Sequence, residues 1–258
     1  MYCTNTYQSG EHGMEFRNHR DEASRTRFFY YPNIGTDDFP ALSCGEIHIW
    51  FVAAGDNSLM EQSAVLSGAE QAAAARYKHA GARACYQTGH TALRLLLARY
   101  LHVRAEELSF VCGEHGKPSL SNQNSVHFNI SHSGGWIALA FARHTPIGID
   151  IEHARDTRRT DLIVRRFFHP QEAAAYASLP EPEKQRFFYE RWTAREAALK
   201  ALGIGLTVET NAFLVESLGG GTMCIKDGPP GSERLMLTRI DCPDGYIGCV
   251  AFLPDSSP

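Results

Sequence analysis

The hydrophobic pattern changes character near residue 45. Residues 1–44 are polar and irregular, which predicts an extension with partial disorder. The first strand pattern is Glu46-Ile47-His48-Ile49-Trp50-Phe51-Val52, alternating apolar and polar at its start. From Met60 to about Tyr100 the period is helical. Ala72 to Ala75 is rich in a strong helix former, and Thr91 to Leu101 has an apolar face with arginines opposite. Leu108 to Cys112 reads as a strand, and Gly113-Glu114-His115-Gly116-Lys117-Pro118 as a turn. Val126 to Ile130, Trp136 to Phe141 and Ile147 to Glu152 are strand-like. Helices are expected around Asp161 to Phe168, Pro170 to Ser178 and Pro182 to Leu202. Strands are expected near Ala212 to Glu216, Leu235 to Ile240 and Tyr246 to Phe252. Each half mixes helices with a few strands, so the predicted class is α/β (α+β).

A chain of 258 residues suits two small lobes or one large α/β unit, and it can bury a core without staples. The formal net charge of −4 and the lack of a basic-aromatic stripe weigh against nucleic-acid binding. Seven cysteines with no C-x-x-C pair read as a reduced set rather than a disulfide framework or a zinc site. No apolar h-region opens the chain and no apolar run approaches spanning length. The expectation is a cytoplasmic protein with no membrane partner.

Four clusters could carry chemistry. Asp150 and Glu152 are i and i+2 on one strand, so both carboxylates share a face, a hard-oxygen pair suited to magnesium. The bland alternative is two solvated carboxylates on an edge strand. Glu196 and Lys200 share a helix face one turn apart and could serve a metal and a phosphate, or be a surface ion pair. In Phe128-Asn129-Ile130-Ser131-His132-Ser133-Gly134 a strand ends in hydroxyls, an imidazole and glycine, which can face a phosphate. His132 could equally be a satisfied structural histidine. A serine nucleophile is not expected there, since a base must be oriented by a third group and no G-x-S-x-G elbow is present. Gly116-Lys117-Pro118 holds a lysine in a constrained turn, a plausible phosphate contact or an ordinary surface turn.

The order and identity of these clusters decide between the readings. Gly116-Lys117-Pro118, Phe128 to Ser133, Ile147-Gly148-Ile149-Asp150-Ile151-Glu152 and Trp192-Thr193-Ala194-Arg195-Glu196-Ala197-Ala198-Leu199-Lys200-Ala201 follow one another as in the 4'-phosphopantetheinyl transferase superfamily. The chain resembles its longer, Sfp-type, pseudo-dimeric branch over about Gly45 to Phe252.

The resemblance implies two similar lobes related by a pseudo-twofold axis, here 45–152 and 153–258, with the site between them. It implies Asp150, Glu152 and Glu196 as Mg2+ carboxylates, and Ser131 and His132 against the 3'-phosphate of coenzyme A. Lys117 and Pro118 would lie beside the adenine, and Lys200 near the pyrophosphate. Arg83 heads a looser set with Arg76 and Lys78 for the nucleotide phosphates. Glu196 is the first candidate for the base, with Lys200 beside it. The implied reaction transfers phosphopantetheine from coenzyme A to a serine of an apo acyl or peptidyl carrier protein, with a lean towards carriers of secondary metabolism. A pyrophosphate-cleaving hydrolase and a non-catalytic binding module are the competing readings. The expected state is a monomer. Phe167, Phe168 and Tyr189 are either a carrier-docking patch or core. Gly134-Gly135 departs from relatives with a larger second residue, and local loosening is expected there.

Overall fold

The computed structural model describes residues 6–7, 16–17, 19–21, 26–30, 39–122, 125–155, 160–205 and 210–254. Most of the expected extension 1–44 lies outside the described residues. Its described parts are short strands β1 (Thr6–Tyr7), β2 (Phe16–Arg17), β3 (His19–Asp21) and β4 (Thr26–Tyr30). The first half continues with β5 (Ile47–Ala53), α1 (Asn57–Glu61), α2 (Gly68–Ala75) and α3 (Ala80–Leu101). Then come the hairpin β6 (Phe110–Cys112) and β7 (Pro118–Leu120), and the long pair β8 (Val126–Ser133) and β9 (Trp136–Arg143).

The second half runs β10 (Ile147–His153), α4 (Thr160–Phe167), α5 (Pro170–Ser178) and α6 (Glu181–Leu202). It ends with β11 (Leu214–Gly219), β12 (Thr222–Lys226), β13 (Met236–Ile240) and β14 (Tyr246–Phe252). The single helical stretch expected from Met60 to Tyr100 is therefore broken. Ser67 and Glu70 form a capping box that restarts the chain as α2, and Arg76 ends it.

Two five-stranded sheets carry the fold, ordered β3-β4-β5-β9-β8 and β10-β14-β13-β12-β11. Each repeats one plan. The lobe's first strand pairs antiparallel with its last, and a 22-residue helix connects the first strand to the strands that follow. β4 lies parallel to β5, with Phe29 stacked on Trp50 at 4.5 Å, so part of the predicted extension closes the first sheet. β10 was expected to close the first lobe, but its hydrogen bonds run to β14, which assigns it to the second sheet.

The period of each strand places the cores. Trp50, Val52, Leu139 and Phe141 face α3 with Leu93, Leu96 and Leu97. Cys249, Ala251 and Leu237 face α6 with Ala194, Ala197 and Ala198. The opposite faces meet each other. Ile47, Ile49, Phe51, Ala138 and Ala140 share a core with Ile147, Ile149, Ile151 and Val250. The order of layers is helix, sheet, sheet, helix.

Gly148 sets the spacing of the outer layer. A Cβ there would run into the Ala197 carbonyl and the Ala201 amide of α6. Only glycine lets helix and strand approach this closely, and the approach brings Lys200 over Asp150.

Candidate active site

β8 and β10 are edge strands of different sheets, lying side by side without backbone pairing. The outward backbone groups of β10 would be orphans there, and buried orphans are costly. Side chains satisfy them instead. The Ile149 amide donates to Asn129 Oδ1 at 2.8 Å, that of Ile151 to Ser131 Oγ at 3.3 Å, and that of His153 to Ser133 Oγ at 3.1 Å. Both series advance by two residues, the strand period. On the carbonyl side, Lys117 Nζ donates to Ile147 O at 2.9 Å and Lys200 Nζ to Ile149 O at 3.2 Å. Three sequence motifs thus converge on the edge of the fourth.

The carboxylates stand on the other face of β10, towards α6. Lys200 Nζ lies 2.7 Å from Asp150 Oδ1, and Ser131 Oγ donates to the same oxygen at 2.9 Å. Ser133 Oγ donates to Glu152 Oε2 at 2.7 Å. Asp150 is buried, and its other oxygen, Oδ2, has no partner among the described residues. Burial raises the Asp150 carboxyl, with the Lys200 charge and the Ser131 hydrogen bond opposing. Burial also raises Glu152, opposed by Ser133 and reinforced by Asp150. Glu196, half-buried on α6, is raised by burial and then by Asp150, with Lys200 pulling down and Glu152 adding to the rise. Three carboxylates raised by burial, two of them also by the Asp150 charge, form a site short of positive charge.

Among the described residues no three His, Cys, Asp or Glu side chains stand close enough to hold an ion as a set. The donor chemistry nevertheless fits a hard divalent cation. All the groups are carboxylates, and Asp150 Oδ2 is sealed from water with nothing to accept from.

Other predicted residues sit differently. His132 is exposed at the end of β8; desolvation and then Lys200 hold its imidazole below the usual range. Lys117 is turned into the lobe junction rather than outward, and burial lowers its pKa to about 8. Pro118 opens β7 beside it. Arg76, Lys78 and Arg83 are exposed on the α2–α3 segment, with Arg83 Nη2 on the Tyr77 carbonyl at 3.0 Å. Phe168 and Tyr189 are buried with Val164 and Phe188, so neither can dock a carrier, and Phe167 is half-buried beside them.

The Gly134-Gly135 turn is not loosened. Gly134 has φ +55°, a Cβ there would meet Tyr246 Oη, and the Gly135 amide donates to that hydroxyl at 2.9 Å. Sequence reasoning missed Gly148, and it placed Asn129 and Ser133 in a phosphate-facing motif without seeing that they hold the edge of β10. The signals were a period-two polar series in an apolar strand and a glycine inside another.

A family model described as the 4'-phosphopantetheinyl transferase superfamily matches residues 146–241, and one described as 4'-phosphopantetheinyl transferase, N-terminal, matches 54–144. The 4'-phosphopantetheinyl transferase HetI of Nostoc sp. is 35% identical over 167 residues, 62% of this chain and 70% of that protein. A 4'-phosphopantetheinyl transferase of Bacillus subtilis is 32% identical over 168 residues, 65% of this chain and 73% of that protein. With the two-lobe topology above, these matches define a class, and the chain belongs to the Sfp-type branch of the 4'-phosphopantetheinyl transferase superfamily. Among the described residues no helix is long and apolar enough to cross a membrane.

Proposed function

We propose that this chain transfers the 4'-phosphopantetheine moiety of coenzyme A to a serine of an apo acyl or peptidyl carrier protein. The products are holo carrier and adenosine 3',5'-bisphosphate. The observation that carries the reading is the convergence of Asp150, Glu152, Glu196 and Lys200 at the lobe junction, in a chain of this family. The serine hydroxyl forms a bond to the β-phosphorus of coenzyme A, and the bond to the bridging oxygen breaks. Negative charge gathers on that oxygen and on the non-bridging ones.

Glu196 is the group we assign to the serine proton. It stands half-buried on α6, one turn from Lys200 and within the field of Asp150. Lys200, held over Asp150, supplies a fixed positive charge near the pyrophosphate. Asp150, Glu152 and Glu196 would hold Mg2+, which when bound supplies Lewis-acid neutralisation of the pyrophosphate oxygens. His132, exposed beside Lys200, and Arg83 are the assigned contacts to the nucleotide phosphates, and Pro118 the contact to the adenine. We place the lobe boundary in the turn before β10, where the two family matches meet, rather than after Glu152.

Intact-mass analysis of an apo carrier incubated with the chain, coenzyme A and Mg2+ tests the reading. The expected result is a gain of one phosphopantetheine, abolished by a chelator and by Glu196→Ala. Release of adenosine 3',5'-bisphosphate without any carrier would replace the transferase with a hydrolase. Coenzyme A binding without turnover on any carrier would leave a binding module.

A further inference from the structure

Ser131 and Ser133 carry hydroxyls with defined capacity: one donor proton and two acceptor lone pairs each. Ser131 has used all of it. Its proton goes to Asp150 Oδ1 at 2.9 Å, and it accepts from the Ile151 amide at 3.3 Å and from Lys200 Nζ at 3.2 Å. Nothing remains for a phosphate oxygen, which could only accept a hydrogen bond that this hydroxyl no longer has to give. Ser133 gives its proton to Glu152 Oε2 at 2.7 Å and accepts from the His153 amide at 3.1 Å.

The two serines therefore repeat one device two residues apart. Each is pinned by the backbone of β10 and in turn fixes one oxygen of the neighbouring carboxylate on that strand. For Asp150 the other oxygen, Oδ2, is left buried and without a partner among the described residues. A carboxylate held by one oxygen presents the other in a fixed direction, which is what a ligand to a hard cation needs. Asn129 extends the same series with its contact to the Ile149 amide but reaches no carboxylate.

We propose that Ser131 and Ser133 are positioning residues for the carboxylates Asp150 and Glu152, and that the side chain of Ser131 is not a nucleotide contact. The proposal rests on the transferase reading for the identity of the cation. It predicts that the serines set divalent-cation affinity, while coenzyme A affinity rests on other groups.

The test is Mn2+ binding to the full chain, followed by electron paramagnetic resonance without coenzyme A or carrier, beside calorimetric binding of adenosine 3',5'-bisphosphate without metal. Ser131→Ala and Ser133→Ala should each weaken Mn2+ binding by roughly 10- to 100-fold, the range for groups that orient metal ligands. Bisphosphate affinity should stay within a factor of about two, a margin far below the tenfold that 1.4 kcal/mol would give. Ser133→Thr, which keeps the hydroxyl, should restore most of the Mn2+ affinity and excludes misfolding as the cause. Unchanged Mn2+ binding in Ser131→Ala, with weakened bisphosphate binding, would overturn the proposal in favour of a direct phosphate contact. A wild-type chain that modifies a carrier yet binds no Mn2+ in the absence of coenzyme A would overturn the proposal and leave the transferase standing. Cation binding with the serine dependence described, but no carrier modification, would do the reverse.

Discussion

Where the opening strand of the first lobe carries Trp50 and Val52, the opening strand of the second carries Asp150 and Glu152. Where α3 carries Leu95 and Arg99, α6 carries Glu196 and Lys200 at the same steps from its start. The frame beneath these differences is shared. Arg94 and Arg195 are each the fifteenth residue of a 22-residue helix. Arg94 pairs with Glu70, the capping-box glutamate of α2; Arg195 pairs with Glu172, the capping-box glutamate of α5. One plan is used twice. On the face between strand and helix, the first lobe packs Trp50, Val52 and a His48–Tyr100 contact, and the second presents carboxylates and a lysine. The first lobe supplies support from its other edge, through Asn129, Ser131, Ser133 and Lys117.

The harshest way to break this comparison is to cut the shared latches. Arg94→Met and Arg195→Met should each cost up to about 3–5 kcal/mol, because each takes the nearest charge from a buried glutamate and leaves it only His90 or Arg191. Urea denaturation measures this. If one variant lost nothing while the other lost the full amount, the latches would not be equivalent and the repeat would be topological only.

The next effect separates chemistry from support. Glu196→Gln should lower transfer by about 100- to 1000-fold, the scale of a lost electrostatic group. Its stability should stay level or rise, because a carboxylate raised by burial and by Asp150 is a strained charge. Leu95→Gln, its counterpart on α3, should do the opposite, losing stability because Leu95 packs on the first core and keeping kcat. Parallel responses in both variants would erase the division of roles.

Gly148→Ala comes third. Its counterpart on β5 is His48, buried with its ring nitrogen 2.8 Å from the Tyr100 hydroxyl, so that strand has room for a large side chain. At Gly148 even a methyl group meets the α6 backbone. A cost of about 1–3 kcal/mol is expected from forced displacement. A loss of kcat larger than the stability loss explains should accompany it, since Lys200 would be lifted from Asp150. A variant with wild-type melting and turnover would show that α6 is not seated by this contact.

Much of this was legible in the sequence. Strand-like runs placed β5, β8, β9, β10, β13 and β14, and the four ordered motifs picked out Asp150 and Lys200, which the fold brings together. What stayed hidden was relational. Ser131 and Ser133 look like phosphate-facing hydroxyls until β10 is seen lying beside them, its amides donating to both and to Asn129. Phe29 reads as part of a polar extension because its partner Trp50 is twenty-one residues away on a parallel strand. The side of the boundary on which β10 falls depends on β14, almost at the far end of the described chain. Period and composition report what each segment buries; they do not report against which neighbour.

Lys117 offers the smallest effect and the most direct view of how the lobes are joined. Its ammonium reaches from the first lobe to Ile147 O at 2.9 Å and Ala201 O at 3.4 Å in the second. Burial lowers its pKa to about 8, from an ordinary value near 10.5. Between these values the unfolded chain holds the proton and the folded chain releases it. Stability from this group therefore rises with pH across that window, is complete above the unfolded value, and is lost as pH falls through about 8. Near neutral pH the carbonyl hydrogen bonds and the buried charge oppose each other, so Lys117→Met should change stability little there. Denaturation at pH 7.5, 9 and 10.5 should give a wild-type curve that climbs relative to the variant. Parallel curves would mean that Lys117 is solvated, and that the lobes are held by the Asn-Ser-Ser series and the shared apolar core alone.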